Sequence, residues 1–179
     1  MDRRVILTGV AVVAATPFVL RTSAFAAMID PKAAKTEADF RNGVIGPAEL
    51  SLATSKIAVE KATNEHAKIF AGYELAEAIA VTEVLRDLGT AVPAMDEKAM
   101  ATLSKIQSAT STEFDIAYIQ AQLENHQYLR DLAEGFLANS SASNKDMAEM
   151  HGRHLATLSH AVFVEHVDIT SRILAELQG

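Results

Sequence analysis

The chain has 179 residues, six histidines, 23 acidic residues and no cysteine, so a thiol nucleophile and a Cys-type metal site are excluded and imidazole, carboxylate and thioether groups are left to carry metal or proton chemistry. Glu74 and Glu77 are three residues apart. At 100° per residue both project from one helix face, amid an apolar stripe of Phe70, Tyr73, Val81, Val84, Leu85 and Leu88, with His66 near its start. His126 lies on the flank of a second apolar sector, beside Ile119, Leu123, Ala133 and Leu137, with Asp115 and Gln122 nearby. His166 falls within a third seam, formed by Leu155, Leu158, Val162, Ile169 and Ile173, whereas His160 points to the opposite, wet face. A carboxylate buried without a partner costs several kcal/mol, which is avoided by pairing, protonation or metal binding. Glu74, Glu77, His126 and His166 are therefore candidate ligands for iron or copper. The competing reading is a hydrogen-bond network in which each histidine is satisfied by a carboxylate, an Asn or a Tyr hydroxyl. Glu77 and His126 are the pair expected to meet.

Met147, Met150, His151 and His154 form a second set, on one face at the start of the last helix. Thioether with imidazole suits copper, above all Cu(I); methionines there also serve as core filler. Other chemistry finds little support. Di-iron bundles place a Glu-x-x-His pair on each of two helices, and no such pair occurs in this chain. There is no defensible Ser-His-Asp order, Gly-rich phosphate loop or paired acid and base, so the reading leans away from an enzyme.

The elements that must position these residues are helices. Asp30-Pro31 starts a short polar helix running to Phe40, which Asn42-Gly43 ends. Pro47 opens a second segment through about Ala62, and Thr63-Asn64 breaks it. Asn64 then caps a long helix from Glu65 to Leu88, closed by Gly89. Asp96 caps a short helix to about Ser108. The next long helix spans about Glu113 to Ala138, and the last runs from about Lys145 to Leu177. No stretch alternates with the period of a strand. Three long helices plus segmented partners of similar total length predict an all-α fold, a four-helix bundle with short extra helices.

Residues 1–26 read as a signal peptide, leaving 27–179 as one helical-bundle domain. Arg3 and Arg4 supply the charged start, Val5 to Leu20 an apolar run of 16 residues, and Ala24-Phe25-Ala26 the small-x-small cleavage pattern. Spanning a bilayer takes about 20 apolar residues, so no stable membrane insertion is expected after cleavage. Arg3-Arg4 followed by Val5-Ile6-Leu7 also fits a twin-arginine export signal. From Ala27 onward the chain carries 13 basic and 22 acidic residues. With no basic stripe interleaved with aromatics, nucleic acid is an unsuitable partner.

One succession of residues carries a resemblance. Ser55-Lys56-Ile57-Ala58-Val59-Glu60-Lys61-Ala62, then Phe70-Ala71, then Phe114-Asp115-x-x-Tyr118-Ile119 with His126-Gln127, resembles the exported bacterial family called domain of unknown function DUF4142. The likeness runs from about Phe40 to Leu177. It implies a ferritin-like helical bundle in the periplasm, with no established activity, cofactor or catalytic residue. His126 matches the family's second histidine, and His166, after Glu165, a third. Where the family often has an acid followed by His after Phe-Ala, this chain has Glu77-Ala78.

The function expected from sequence is an exported, soluble bundle with an interaction or stress-protective role, monomeric or weakly dimeric, with an unidentified protein or small-molecule partner. The alternatives are a metal-binding or metal-oxidising bundle and a carrier of small apolar ligands.

Overall fold

Capping residues fix where the helices begin. The computed structural model describes residues 29–179, and the leader expected at 1–26 lies outside them. Asp30 caps a 3-10 turn, Pro31–Ala33, by accepting from the Lys32 amide at 3.0 Å. Five α-helices follow: α1 Glu37–Lys61, α2 Glu65–Asp87, α3 Glu97–Ser108, α4 Ser111–Asn139 and α5 Met147–Gln178. Asn64, Asp96 and Asp146 each accept from the first free amides of the helix they precede, which satisfies donors that the helix itself leaves unpaired. Among the described residues there is no strand, and no helix is long and apolar enough to cross a membrane.

The first long helix differs from expectation. Sequence signals predict a break at Asn42-Gly43 and a restart at Pro47, yet α1 runs unbroken through all three residues, opened by a capping box between Thr36 and Asp39. The glycines serve packing instead. A Cβ on Gly43 would stand 2.6 Å from a Leu132 methyl carbon, and one on Gly46 3.5 Å from Pro93. Pro47 has no amide to give its helix, but its carbonyl accepts from Asn125 Nδ2 at 3.2 Å. The polar helix expected from Asp30 to Phe40 is reduced to the 3-10 turn.

The core lies in two apolar clusters, one towards each end of the long helices. Phe40, Val44, Ile45, Leu85, Leu132 and Phe136 are among the residues of one. Phe70, Ile106, Phe114, Tyr118, Ile119 and Ile173 are among those of the other. Along α1, α2, α4 and α5 alike, buried polar residues occupy the level between them: Ser51, Glu74, Gln122, His126 and His166.

The helices are not equally tied together. α2 packs closely on α1, and α5 on α4 and to a lesser extent on α1, whereas α2 and α5 face each other across a wider seam. That seam explains a second departure. Tyr73, Leu88 and Leu158, expected in buried stripes, are 68%, 52% and 71% exposed. α2 instead turns small residues inward, with Ala67, Ala71 and Ala78 buried.

Polar clamps hold the helix junctions. Buried Asp115 accepts from the amides of Thr63 and Asn64 at 3.0 and 2.9 Å and from the Thr63 hydroxyl at 2.5 Å, fixing the α1–α2 turn from α4. Lys61 Nζ donates to the carbonyls of Gln107 and Ala109, both at 2.9 Å. The N-terminal arm lies across α4, with Ile29 O accepting from Tyr128 and Lys32 O and Ala34 O from Asn139. Gly135 makes this approach possible, because a Cβ there would overlap Pro31 O. Gly135→Ala is therefore expected to cost about 1–3 kcal/mol, as overfilling of a packed site does, and to speed amide exchange around Lys32–Ala34. Unchanged melting and exchange would refute the tight seat.

Candidate metal centre

Helical spacing brings four elements to one point. Glu74 follows Phe70 by one turn on α2; Tyr118, Gln122 and His126 recur every fourth residue on α4; His166 follows Phe163 on α5; and Ser51, Thr54 and Ser55 line the facing side of α1. Each recurrence keeps side chains on one helix face. The buried residues at this level include a carboxylate, two imidazoles, an amide and three hydroxyls.

Three atoms converge at its centre. Glu74 Oε2 lies 3.2 Å from His126 Nε2 and 3.1 Å from His166 Nδ1, and those two nitrogens are 3.1 Å apart. Among the described residues, these are the His and acid side chains placed to share one ion. Ligand atoms held ~2.0–2.1 Å from one ion in tetrahedral or octahedral geometry sit roughly 2.8–3.4 Å from one another, so the triangle has the right size. Glu74 Oε2 is fully buried and takes no well-directed hydrogen bond, although both imidazoles are within ion-pair distance. Its attraction to them is electrostatic, and its lone pairs lack an aligned donor.

The outer atoms of the ligands are held. Glu74 Oε1 accepts from Ser51 Oγ at 2.5 Å, and the same hydroxyl touches the Gln122 amide at 2.7 Å. His126 Nδ1 is 2.8 Å from Gln122 O. A carbonyl only accepts, so that nitrogen carries a proton, and Nε2 faces the centre, where it is hydrogen-bonded with His166 Nδ1. His166 Nε2 faces Glu77 Oε2 at 3.3 Å. Around the imidazoles, Phe70 meets His166 edge-on at 5.1 Å and Phe163 tilts over His126 at 6.0 Å.

The charges follow from this geometry. Burial alone would raise Glu74, but attraction to His126 and contacts with His126, His166 and Ser51 outweigh it and hold the carboxyl at about 2. Burial likewise works against a charged His166, yet Glu74, Glu77 and Glu165 hold it above its ordinary value. Glu77 is raised, chiefly by partial burial. Deeper burial pushes the Tyr118 hydroxyl, 2.9 Å from Ser55 Oγ, far up. Without metal, these contacts favour an ionised Glu74 and the protonated form of His166.

Of the four expected ligands, Glu74, His126 and His166 meet. Glu77 does not join them, and the contact expected between Glu77 and His126 is replaced. Glu74 is the acid of His126, while Glu77, half exposed in the α2–α5 seam, holds the far side of His166. Three residues along α2 is 300°, enough to swing Glu77 from the core to its edge. Met147, His151 and His154 are exposed at the start of α5, Met150 is half-buried, and the two rings lie 6.2 Å apart. His66 is exposed and pairs with Glu176 at 2.7 Å, and half-buried His160 pairs with Glu134 at 3.1 Å. Sequence reasoning missed Ser51, Thr54 and Ser55. Their signal is three small polar residues on one face of a helix that has to be buried.

The fold and site together define an all-helical protein with a buried Glu-His-His centre. The sequence profile of the family described as Domain of unknown function (DUF4142) matches residues 22–164, and the chain belongs to that family. His126 lies inside the matched span, and His166 just beyond its end. No curated protein and no solved structure matches the chain.

The pKa directions set the acid and alkaline behaviour of the metal-free protein. Glu74 is depressed from 4.5 to about 2, so its stabilisation is full above 4.5 and is lost as pH falls towards 2. His166 is raised above 6.5, so its contribution is full below 6.5 and is lost as pH rises through the folded value. Denaturant unfolding across this range should show both limbs, and Glu74→Gln should flatten them. An unaltered profile in Glu74→Gln would mean that the pair contributes nothing.

Proposed function

We propose that the protein binds one divalent transition-metal ion through Glu74, His126 and His166, within a four-helix, ferritin-like bundle that is exported and works in the periplasm. The observation that carries this reading is Glu74 Oε2, a fully buried carboxylate oxygen with no aligned donor, at 3.1–3.2 Å from two imidazole nitrogens. The sequence alone ranks an interaction or stress-protective role first. The convergence of these atoms reverses that order, because a partner-binding bundle has no need of a charged triangle at its centre.

The donor set narrows the ion. Two imidazoles and one carboxylate suit Fe(II) or Zn(II), and no thioether is near to favour Cu(I). The surroundings support the assignment. Metal-binding histidines usually have their second nitrogen held by a carbonyl or carboxylate, and here Gln122 O and Glu77 fill those roles. In this reading the ion takes the place of the proton shared around His166, so affinity rises with pH as that proton leaves.

Protein stripped with chelator and titrated with Fe(II) without oxygen, or with Zn(II), should take up one equivalent. Glu74→Gln and His126→Ala should abolish uptake, and Glu77→Ala should weaken it about ten- to a hundredfold, as loss of a group behind a metal ligand does. Saturation at a hundred times Kd should add about 2.7 kcal/mol of stability. Absence of uptake by the parent protein would refute the metal centre. The expected leader has its own check: the exported protein should begin at Ala27, and an intact Met1 in a membrane fraction would contradict cleavage.

A further inference from the structure

The α2–α5 seam holds two cavities, and they meet the centre differently. The larger, about 670 Å³, runs past Phe70, Tyr73 and Ile169 to Glu77 and His166. Glu77 holds Nε2 of His166, whereas the ligand atom is Nδ1. The smaller, about 200 Å³, has Ser51, Glu74 and His126 in its own wall. It therefore borders the point where the ligand atoms converge.

Apart from Glu77 and Ser159 the rest of that wall is apolar, and it is built from the same helix faces as the candidate ligands. Ala78 stands one turn beyond Glu74 and Val81 one turn beyond Glu77. Leu129 follows His126 by three residues, and Phe163 precedes His166 by three. Ala48 closes the α1 side, and the cavity opens to solvent past Ala80 and Leu158. An ion with three protein ligands keeps at least one coordination position for an outside molecule.

Size and charge say what that molecule is. Liquid water fills about 30 Å³ per molecule, so the cavity of about 200 Å³ takes a molecule of up to roughly six or seven non-hydrogen atoms. A divalent ion facing the carboxylates of Glu74 and Glu77 makes a centre with no net charge. An anion gains no net attraction there and must lose hydration against aliphatic walls. We infer that this cavity is a binding site for a small uncharged molecule, between a diatomic gas and a short-chain compound in size, that coordinates the ion at its open position. The inference rests on the metal reading above and adds the class of ligand.

The test uses the mature protein loaded with Fe(II) under anaerobic conditions, with nitric oxide as the uncharged probe and azide as an anion of similar size. Iron content is measured first, and nitric oxide binding is then followed by the electron paramagnetic resonance of the iron–nitrosyl complex. The parent should form the complex and bind azide at least about tenfold more weakly, a difference of roughly 1.4 kcal/mol. Ala78→Leu and Val81→Phe each fill the cavity from α2 at positions that supply no ligand atom. Either variant should keep its iron and lose nitric oxide affinity by about tenfold or more, and if one fails to fold, the other decides. Iron bound with no nitrosyl complex, undiminished nitric oxide binding in a filled variant, or azide binding as tightly as nitric oxide would overturn this inference and leave the metal centre standing. A parent that holds no iron would overturn both.

Discussion

A single carboxylate organises this molecule. Glu74 is only 3% exposed and stays ionised, in an interior where an unpaired charge is costly. Its cost is offset by groups from three other helices: Ser51 from α1, His126 from α4 and His166 from α5. The apolar core divides on either side of this level because the charge and its partners occupy the middle. The arrangement also fixes register. Sliding α2 by one turn would move the carboxylate about 5.4 Å, out of reach of both imidazoles, whereas alanine contacts tolerate such a slip more easily.

In the metal reading proposed above, the same atoms serve a proton or a metal. In the metal-free molecule His166 presents Nδ1 to the centre and Nε2 to Glu77, the arrangement of an imidazolium between two acids. Removing one proton from Nδ1 turns that edge from a donor into a ligand and leaves Nε2 held by Glu77. Neither His126 nor Glu74 has to reorient, since Gln122 O and Ser51 hold their outer atoms already. The second nitrogen and second oxygen are thus as important to the chemistry as the atoms at the centre.

How much of this the sequence discloses varies by residue. Helix class, the Asn64 and Asp96 caps and all three residues of the central triangle follow from periodicity and from the cost of burying polar groups. The continuity of α1 does not, because Gly43 next to Leu132 reads in sequence as a stop signal and in space as a close contact. The exchange of Glu77 for Glu74 as the partner of His126 was equally hidden. Periodicity assigns both acids to one broad stripe, and only the position of α5 shows which edge is covered. Leu158 misleads for the same reason: it falls on the apolar side of α5, but α2 stands too far off to bury it.

The Asp115 clamp gives α2 a fixed pivot. One carboxylate on α4 grips both amides of the Thr63-Asn64 turn, and from there α2 lies along α1 and meets α5 through side-chain contacts such as His66–Glu176. Glu74, nearly three turns from the pivot, reaches His166 on that helix. The central contact therefore also ties α2 to α5 in the middle of the seam between them.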